Sequence, residues 1–523
     1  MQAPNILKDR VFRAKLADGQ VQTVSLCEVL ALMSDDEIES FPSLRPHQRH
    51  AWHAFLAQLA TLALHESRST DIPRCPEAWR GLLRNLTQKF PQDEPWRLVV
   101  DDTRLPAFMQ PPAGPDRRDY RGQCCSPDDL DILVTSKNHD VKQSIAREPL
   151  AEDWIFALIS LQTMAGFLGQ GNYGIARMNG GFSSRPSMGL YPAKGRCGAC
   201  LFYDVRRMID GREKLLQEYP YYRRSNGVRL LWLQTWNGKE SLSLNQLDPY
   251  FIEICRRVRF LPAGNSWTAM TAGSKTARIQ ASDAKGNIGD FWAPVSIAEK
   301  EPKALSVSGA GFTYKKLREV LLDHSKFKQP RSMEVDSTPE SIWRVIARGI
   351  AAGQGKTEGY HERRNILFSG KTAPILFRKT SAHRDLSLVS ESLMEEIGEV
   401  SKALRRGIAV AASGGRFDKS SDKGRELANK FGNKLDDFAD GLFFEQLDER
   451  FQAAESERLN VRRQFVCRLI DEGESILNDA IATISCSSAL RLRSKVVAQR
   501  AFHGLIRSPK STFSDDPKIF TQG

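Results

Sequence analysis

From Leu386 to Ile408 apolar residues return every three or four positions: Leu386, Val389, Leu393, Ile397, Val400, Leu404 and Ile408. That interval is the period of an α-helix, so these side chains form one apolar face over about six turns. A helix of this length must bury such a face against other helices. Amphipathic patterns with short connections also cover roughly 421–454, 457–484 and 487–507. Four antiparallel helices are the simplest way to bury them together. Ser413-Gly414-Gly415 supplies the first break, since glycine ends helices readily. The tail from Ser508 is polar and is expected to fray.

Ahead of residue 380 the pattern is mixed, and 523 residues exceed one ordinary core. The expectation is an α+β protein. A large mixed α/β domain with irregular loops spans residues 1–380, and a C-terminal four-helix bundle spans 384–523. Residues 10–30 read as two short strands around the turn Asp18-Gly19, running into a helix. Arg45–Leu64 has the spacing of a helix buried on one face. Its His47, His50 and His53 fall three apart, not at the i, i+4 interval of a helical zinc pair, so they read as half-exposed. Trp96–Asp102 (WRLVVDD) has the shape of a strand ending in two carboxylates. Residues 103–150 are long and irregular. Within them Leu130–Gln143 begins as an apolar strand and ends in a basic tip with Lys137, Asn138, His139 and Lys142.

Trp154–Leu168 is a nearly uncharged helical stretch that leads into Gly169, Gly171 and Gly174. Those glycines match a dinucleotide fingerprint in spacing only, because a helix precedes them where a strand is required. Next comes Met178–Tyr191 (MNGGFSSRPSMGLY). Its paired glycines let a backbone approach another polymer closely, and Arg177 and Arg185 nearby suit a phosphate backbone. Cys197 and Cys200 form a lone C-x-x-C without the second pair that a structural zinc needs. Arg229–Trp236 reads as a strand. Phe251–Phe260 carries Arg256, Arg257 and Arg259, a basic group open to two readings, a phosphate contact or a solvated face. Residues 261–312 look like a small sheet, Tyr314–Arg331 like a basic helix and its exit, and Ser341–Ile350 like a helix. Gly353–Thr357 (GQGKT) is a tight loop with a polar tip. It resembles half of a phosphate-binding loop, but the first glycine would fall at Ile350.

The net charge of +12 favours an anionic partner without naming it. The odd count of 9 cysteines fits reduced thiols in the cytoplasm. The first residues, MQAPNILKDRVFRAK, have no apolar signal region, and no stretch approaches the ~18 unbroken apolar residues of a membrane span. No metal or cofactor is expected.

Three features together resemble the large subunit (CasA family) of the type I-E CRISPR Cascade surveillance complex. They are Asn179-Gly180-Gly181-Phe182 followed by Ser183-Ser184-Arg185, the segment Ala107-Phe108-Met109-Gln110, and the glycine/glutamine loop followed by Glu362-Arg363-Arg364 ahead of the bundle. The resemblance spans nearly the whole chain. It implies a non-catalytic subunit that recognises the protospacer-adjacent motif in duplex DNA, wedges the strands apart to start an R-loop, and recruits a helicase-nuclease. Its implied partners are the backbone, handle-binding and small subunits, the crRNA and the target duplex. Carried over by position, Asn179, Gly180 and Gly181 approach the minor groove, and Arg256, Arg257 or Arg259 makes the basic contact. The wedge is Gln354, Lys356 or Thr357. Lys137, Asn138, His139 and Lys142 lie in the loop that meets guide RNA and a neighbouring subunit. The competing expectations are a P-loop-like nucleotide-dependent enzyme, a metal-dependent nuclease built on His139-Asp140, and a scaffold that reads no DNA.

Overall fold

The computed structural model describes residues 3–69, 71–113, 119–133, 148–264, 266–335, 338, 341–353, 356–377, 380–416 and 422–520. These fall into two compact units. The first comprises Met1–Phe312, His324–Val335 and Ile342–Asn365. The second comprises Thr313–Asp323, Asp336–Ser341 and Ile366–Gly523.

The first unit opens as the turn signal predicts. Phe12–Leu16 pairs antiparallel with Val21–Val24 across Gly19, which sits at φ +88°, and with Ile38–Ser40 on its other edge. Ser25 then starts the helix Leu26–Ser34 with a reciprocal cap. The Glu28 N–H donates to Ser25 Oγ (3.3 Å), and the Ser25 N–H donates to the Glu28 carboxylate (2.7 Å).

At the centre lies the helix Arg49–Glu66, which is buried on all sides and not on one face. Its alanines at 51, 54, 57, 60 and 63 let the helices Ala151–Met164 and Cys197–Asp210 pack closely. Burying each of Leu56, Leu59 and Leu62 contributes about 1.5–3 kcal/mol. The histidines expected to be half-exposed are internal. His47 and His50 are fully buried, and His53 is largely so, its Nε2 lying 2.7 Å from Asp204. His47 pairs with Asp131 at 2.8 Å. Burial first, and the neighbouring Arg348 and His47 next, push the His50 pKa down to about 3.

Three local expectations fail. Residues 97–102 form no strand, and the half-buried Asp102 carboxylate clasps Arg104 at 2.8 Å. Ser341–Ile350 is not helical, because Ile342–Gly353 is a long strand. It pairs antiparallel with Ser187–Pro192, with Ile346 opposite Gly189, and lies between that strand and Lys356–Ser369. Of the strand expected to start at Leu130, the described residues 130–133 show none. Pro127–Leu130 is a short helix capped by Ser126.

In the second unit the helices Ser381–Ala412, Asp422–Gln452, Glu455–Thr483 and Ser488–Ile506 form the bundle. Leu386, Leu393, Ile397, Val400, Leu404 and Ile408 are buried, as their spacing predicts. Gly414 and Gly415, at φ +69° and +82°, end the first helix. Tyr314–Leu322 also packs in this unit, with the Tyr314 ring 5.1 Å from that of Phe443. The tail does not fray where it is described. Phe513 is buried, and Asp515 and Asp516 pair with Arg462 and Arg463 at 3.1 Å.

Candidate nucleic-acid interface

The glycine-rich loop is held from beneath and open at its tip. Asn179 Nδ2 donates to the Ala304 carbonyl (2.9 Å) and to Ser306 Oγ (2.8 Å), while its Oδ1 accepts from the Gly181 N–H (2.9 Å). Gly180, at φ +84°, is exposed, and a Cβ there would meet no atom within 4 Å. On the inner side a Cβ on Gly166 would sit 2.4 Å from the Ser183 carbonyl and 2.5 Å from that of Gly181. The lead-in glycine therefore serves close packing of two backbones, and the Phe167 N–H donates to the Gly181 carbonyl at 2.9 Å. A cavity of about 570 Å³ opens beside Gly180, with Phe167, Tyr173 and Met178 in its wall.

Beyond the tip the chain joins the hairpin sheet. Ser183 Oγ donates to the Val307 carbonyl at 3.0 Å. The Ser184 N–H donates to the Ile350 carbonyl (3.0 Å), and the Ile350 N–H donates back to Ser184 Oγ (2.8 Å). Three residues past Ile350 the strand ends at Gly353, before Gln354. The chain that follows the glycine loop and the strand that leads to Gly353, some 170 positions apart in sequence, are thus joined at Ser184 and Ile350. No role was read from Ser183 and Ser184 in the sequence, although they follow Gly180-Gly181-Phe182. Their paired hydroxyls were the available signal.

The basic residues behave differently from expectation. Arg177 is buried against Glu253 (2.9 Å) and over the Phe251 ring (3.8 Å). Arg185 grips Asp290 with two hydrogen bonds of 2.5 and 2.6 Å. Neither is free to meet phosphate. Arg256, Arg257 and Arg259 are also buried, at 7%, 5% and 4% exposure. The Arg256 guanidinium donates to the carbonyls of Tyr173 and Gly166 (the latter at 3.3 Å). That of Arg257 reaches Gly273 (3.1 Å), and that of Arg259 reaches Leu105 (3.1 Å) and Val100 (3.0 Å). The solvent-facing basic group expected from these three is replaced by buried forks that satisfy loop carbonyls. Arg256 thereby positions the glycine lead-in. Buried amides reinforce it: Gln162 Oε1 accepts from the N–H groups of Cys255 (2.9 Å) and Arg256 (2.8 Å), and Gln110 Oε1 accepts from that of Phe260 (2.8 Å). Gln110 closes the Ala107–Gln110 turn, which is internal scaffolding.

Lys137, Asn138, His139, Lys142 and Gln354 lie outside the described residues. Lys356 and Thr357 open the strand Lys356–Ser369. A phosphate-binding loop requires a helix at that point, whose free N–H groups hold the phosphates, so the P-loop reading has no structural basis here. Cys197 starts the helix Cys197–Asp210 and sits 2.9 Å from the Ile38 carbonyl. Burial, then Cys200 and Asp36, push its pKa up to about 12, which disfavours the thiolate a metal needs. Among the described residues no group of three His, Cys, Asp or Glu is placed to hold a metal ion. None of their helices is long and apolar enough to cross a membrane.

No protein-family model and no curated protein matches the sequence. Solved structures do match. The fold aligns with Thermus thermophilus CasA (Cse1) over 97% of this chain and 99% of that one, with a TM-score of 0.62 at 14% identity. The chain has the CasA (Cse1) fold. Thermobifida fusca Cse1 agrees, with a TM-score of 0.64 at 12% identity over 96% of both chains. A chain of a CRISPR RNA-guided surveillance complex aligns over 97% of this chain and 100% of its own, with a TM-score of 0.58 at 12% identity. The mixed α/β region followed by a helical bundle, expected from sequence, is the Cse1 arrangement.

Proposed function

We propose that this chain is the non-catalytic large subunit of a Cascade-type RNA-guided complex. It reads the flanking motif of duplex DNA with the loop at Asn179–Gly181 and parts the strands with Gln354, Lys356 or Thr357. The observation that supports this reading is the pair of hydrogen bonds between Ser184 and Ile350, which ties the segment after the open Gly180 tip to the strand that leads to Gly353. The CasA fold over nearly the full chain supports it. A backbone loop has few groups with which to distinguish the degenerate minor groove, so several flanking motifs are tolerated. Unstacking the first base pairs costs a few kcal/mol, which a rigid wedge offsets by replacing the stack. Base pairing with the guide then supplies sequence specificity.

The loop with Lys137, Asn138, His139 and Lys142 contacts the guide RNA or a neighbouring subunit. Once the duplex is open the subunit recruits a helicase-nuclease. Arg256, Arg257 and Arg259 act from behind the interface by holding its loops. The test is target binding by the complex reconstituted with and without this chain. The expected result is strand opening, seen by permanganate reactivity of flank-proximal thymines, only when the chain is present. Equal opening without it would overturn the proposal.

A further inference from the structure

The hairpin strand also walls a second concavity. Together with the helix Arg49–Glu66, the strand Ser187–Pro192 and the first turn of Cys197–Asp210, it encloses a cavity of about 440 Å³. That volume lies in the range of small-molecule sites. Five guanidinium groups line it: Arg49, Arg196, Arg344, Arg348 and Arg364. The carboxylates near them do not balance this charge. Glu39, in the wall, is paired with Lys15 at 2.9 Å. Glu362 is shared between Arg348 (2.8 Å) and Arg49 (3.7 Å). Arg196 and Arg344 reach only backbone acceptors or a thiol: Arg196 the Asp36 carbonyl at 3.4 Å, Arg344 the Gly195 carbonyl at 2.5 Å and Cys200 Sγ at 3.9 Å. The buried Nε of Arg344 has no hydrogen-bond partner among the described residues. Arg364 is exposed. Ile346 lies between Arg344 and Arg348 on the strand, and Phe41, Leu44, Trp52 and Leu56 add apolar lining.

Guanidinium groups that outnumber their carboxylate partners in a concavity favour a desolvated anion, and their planar forks match phosphate oxygens in pairs. The apolar lining suits a flat ring. The volume suits one nucleotide. We infer that this cavity binds a mononucleotide, its phosphate monoester among Arg344, Arg348 and Arg364 and its base against Trp52. Such a ligand braces the strand Ile342–Gly353. Binding itself does not depend on the duplex-reading role proposed above.

The test is calorimetric titration of the full-length protein with AMP, adenosine and inorganic phosphate at fixed salt, without DNA. The expected result is saturable one-site binding of AMP, at least tenfold tighter than either fragment. Arg364→Glu weakens AMP at least tenfold while leaving the unfolding midpoint unchanged, because Arg364 is exposed. Arg344→Gln weakens it similarly. No saturable AMP binding up to millimolar concentration overturns the inference, and so does adenosine or phosphate binding as tightly as AMP. Unchanged affinity in Arg364→Glu does the same. Binding of a 5′-phosphorylated RNA trinucleotide without binding of AMP would make the site a strand-end pocket and would also overturn it. None of these outcomes bears on flank reading, which is measured separately on DNA.

Discussion

Ser184 and Ile350 exchange two hydrogen bonds, Ser184 N–H to the Ile350 carbonyl at 3.0 Å and Ile350 N–H to Ser184 Oγ at 2.8 Å. This pair fastens the glycine-rich loop to the hairpin strand. Ser184→Ala removes the side-chain acceptor and leaves a buried N–H without its partner, at a cost of about 1–3 kcal/mol. The expected outcome is a lower unfolding midpoint in urea and a weaker, slower strand opening. Opening at the wild-type rate would show that the hairpin acts independently of the loop.

Arg256 distinguishes a positioning role from a phosphate contact. A buried guanidinium that serves the Gly166 and Tyr173 carbonyls neutralises no phosphate. Arg256→Gln therefore lowers DNA affinity of the assembled complex without changing the slope of log K against log salt. A slope shallower by about one would identify a direct phosphate contact instead.

Gly166→Ala places a Cβ 2.4 Å from the Ser183 carbonyl, where backbone must move. Overpacking of this kind costs about 1–3 kcal/mol. The unfolding midpoint of the first unit is expected to fall, whereas Gly81→Ala, whose Cβ would meet nothing within 4 Å, leaves it unchanged or raises it.

How much of this was legible in the sequence depended on whether a side chain's environment was local. The bundle face from Leu386 to Ile408 was, because helical spacing alone determines which residues meet. The Asp18-Gly19 hairpin was too, since φ > 0 is a property of the turn itself. The strand Ile342–Gly353 was not. Sandwiched between two strands, it carries apolar residues on both faces, and Trp343, Val345, Ile346 and Ile350 fit a helix as well as a strand. At the site, the open tip at Gly180 was readable from composition. The burial of Arg256, Arg257 and Arg259 was not, because the carbonyls they satisfy come from residues 100–105, 166–173 and 273, distant in sequence.

Acid should loosen the first unit in two stages. His50 is buried with its pKa lowered to about 3, against ~6.5 when unfolded. A lowered histidine pKa contributes stability that is complete above pH ~6.5 and is lost as pH falls toward 3. For Asp290, burial acts to raise the pKa, but the Arg185 charge and hydrogen bonds hold it below the usual carboxylate range. Its contribution is complete above ~3.9 and is lost below that value. Urea midpoints measured from pH 7.5 to 5 should decline in the wild type and decline less in His50→Phe. A parallel decline in both would remove His50 from the account.

In the bundle, buried Glu396 holds Arg450 at 2.8 Å and Arg462 at 2.7 Å. Glu396→Ala leaves two guanidinium groups without their shared carboxylate and should destabilise the second unit by about 3–5 kcal/mol. Thermal unfolding of the variant checks this, with a second, lower transition as the expected signature.

The most direct measurement is flank selection by the reconstituted complex on duplexes with randomised trinucleotides beside the target, at fixed salt. Three forms are compared: wild type, Gly180→Asn and Gly180→Asp. Asn and Asp both tolerate the left-handed backbone at φ +84°, and the space above Gly180 is open, so both variants keep the fold. The predicted result is a flank preference in the wild type that weakens in Gly180→Asn and disappears in Gly180→Asp, where a carboxylate faces phosphate. A preference that persists unchanged in Gly180→Asp would contradict the assignment of this loop to DNA reading.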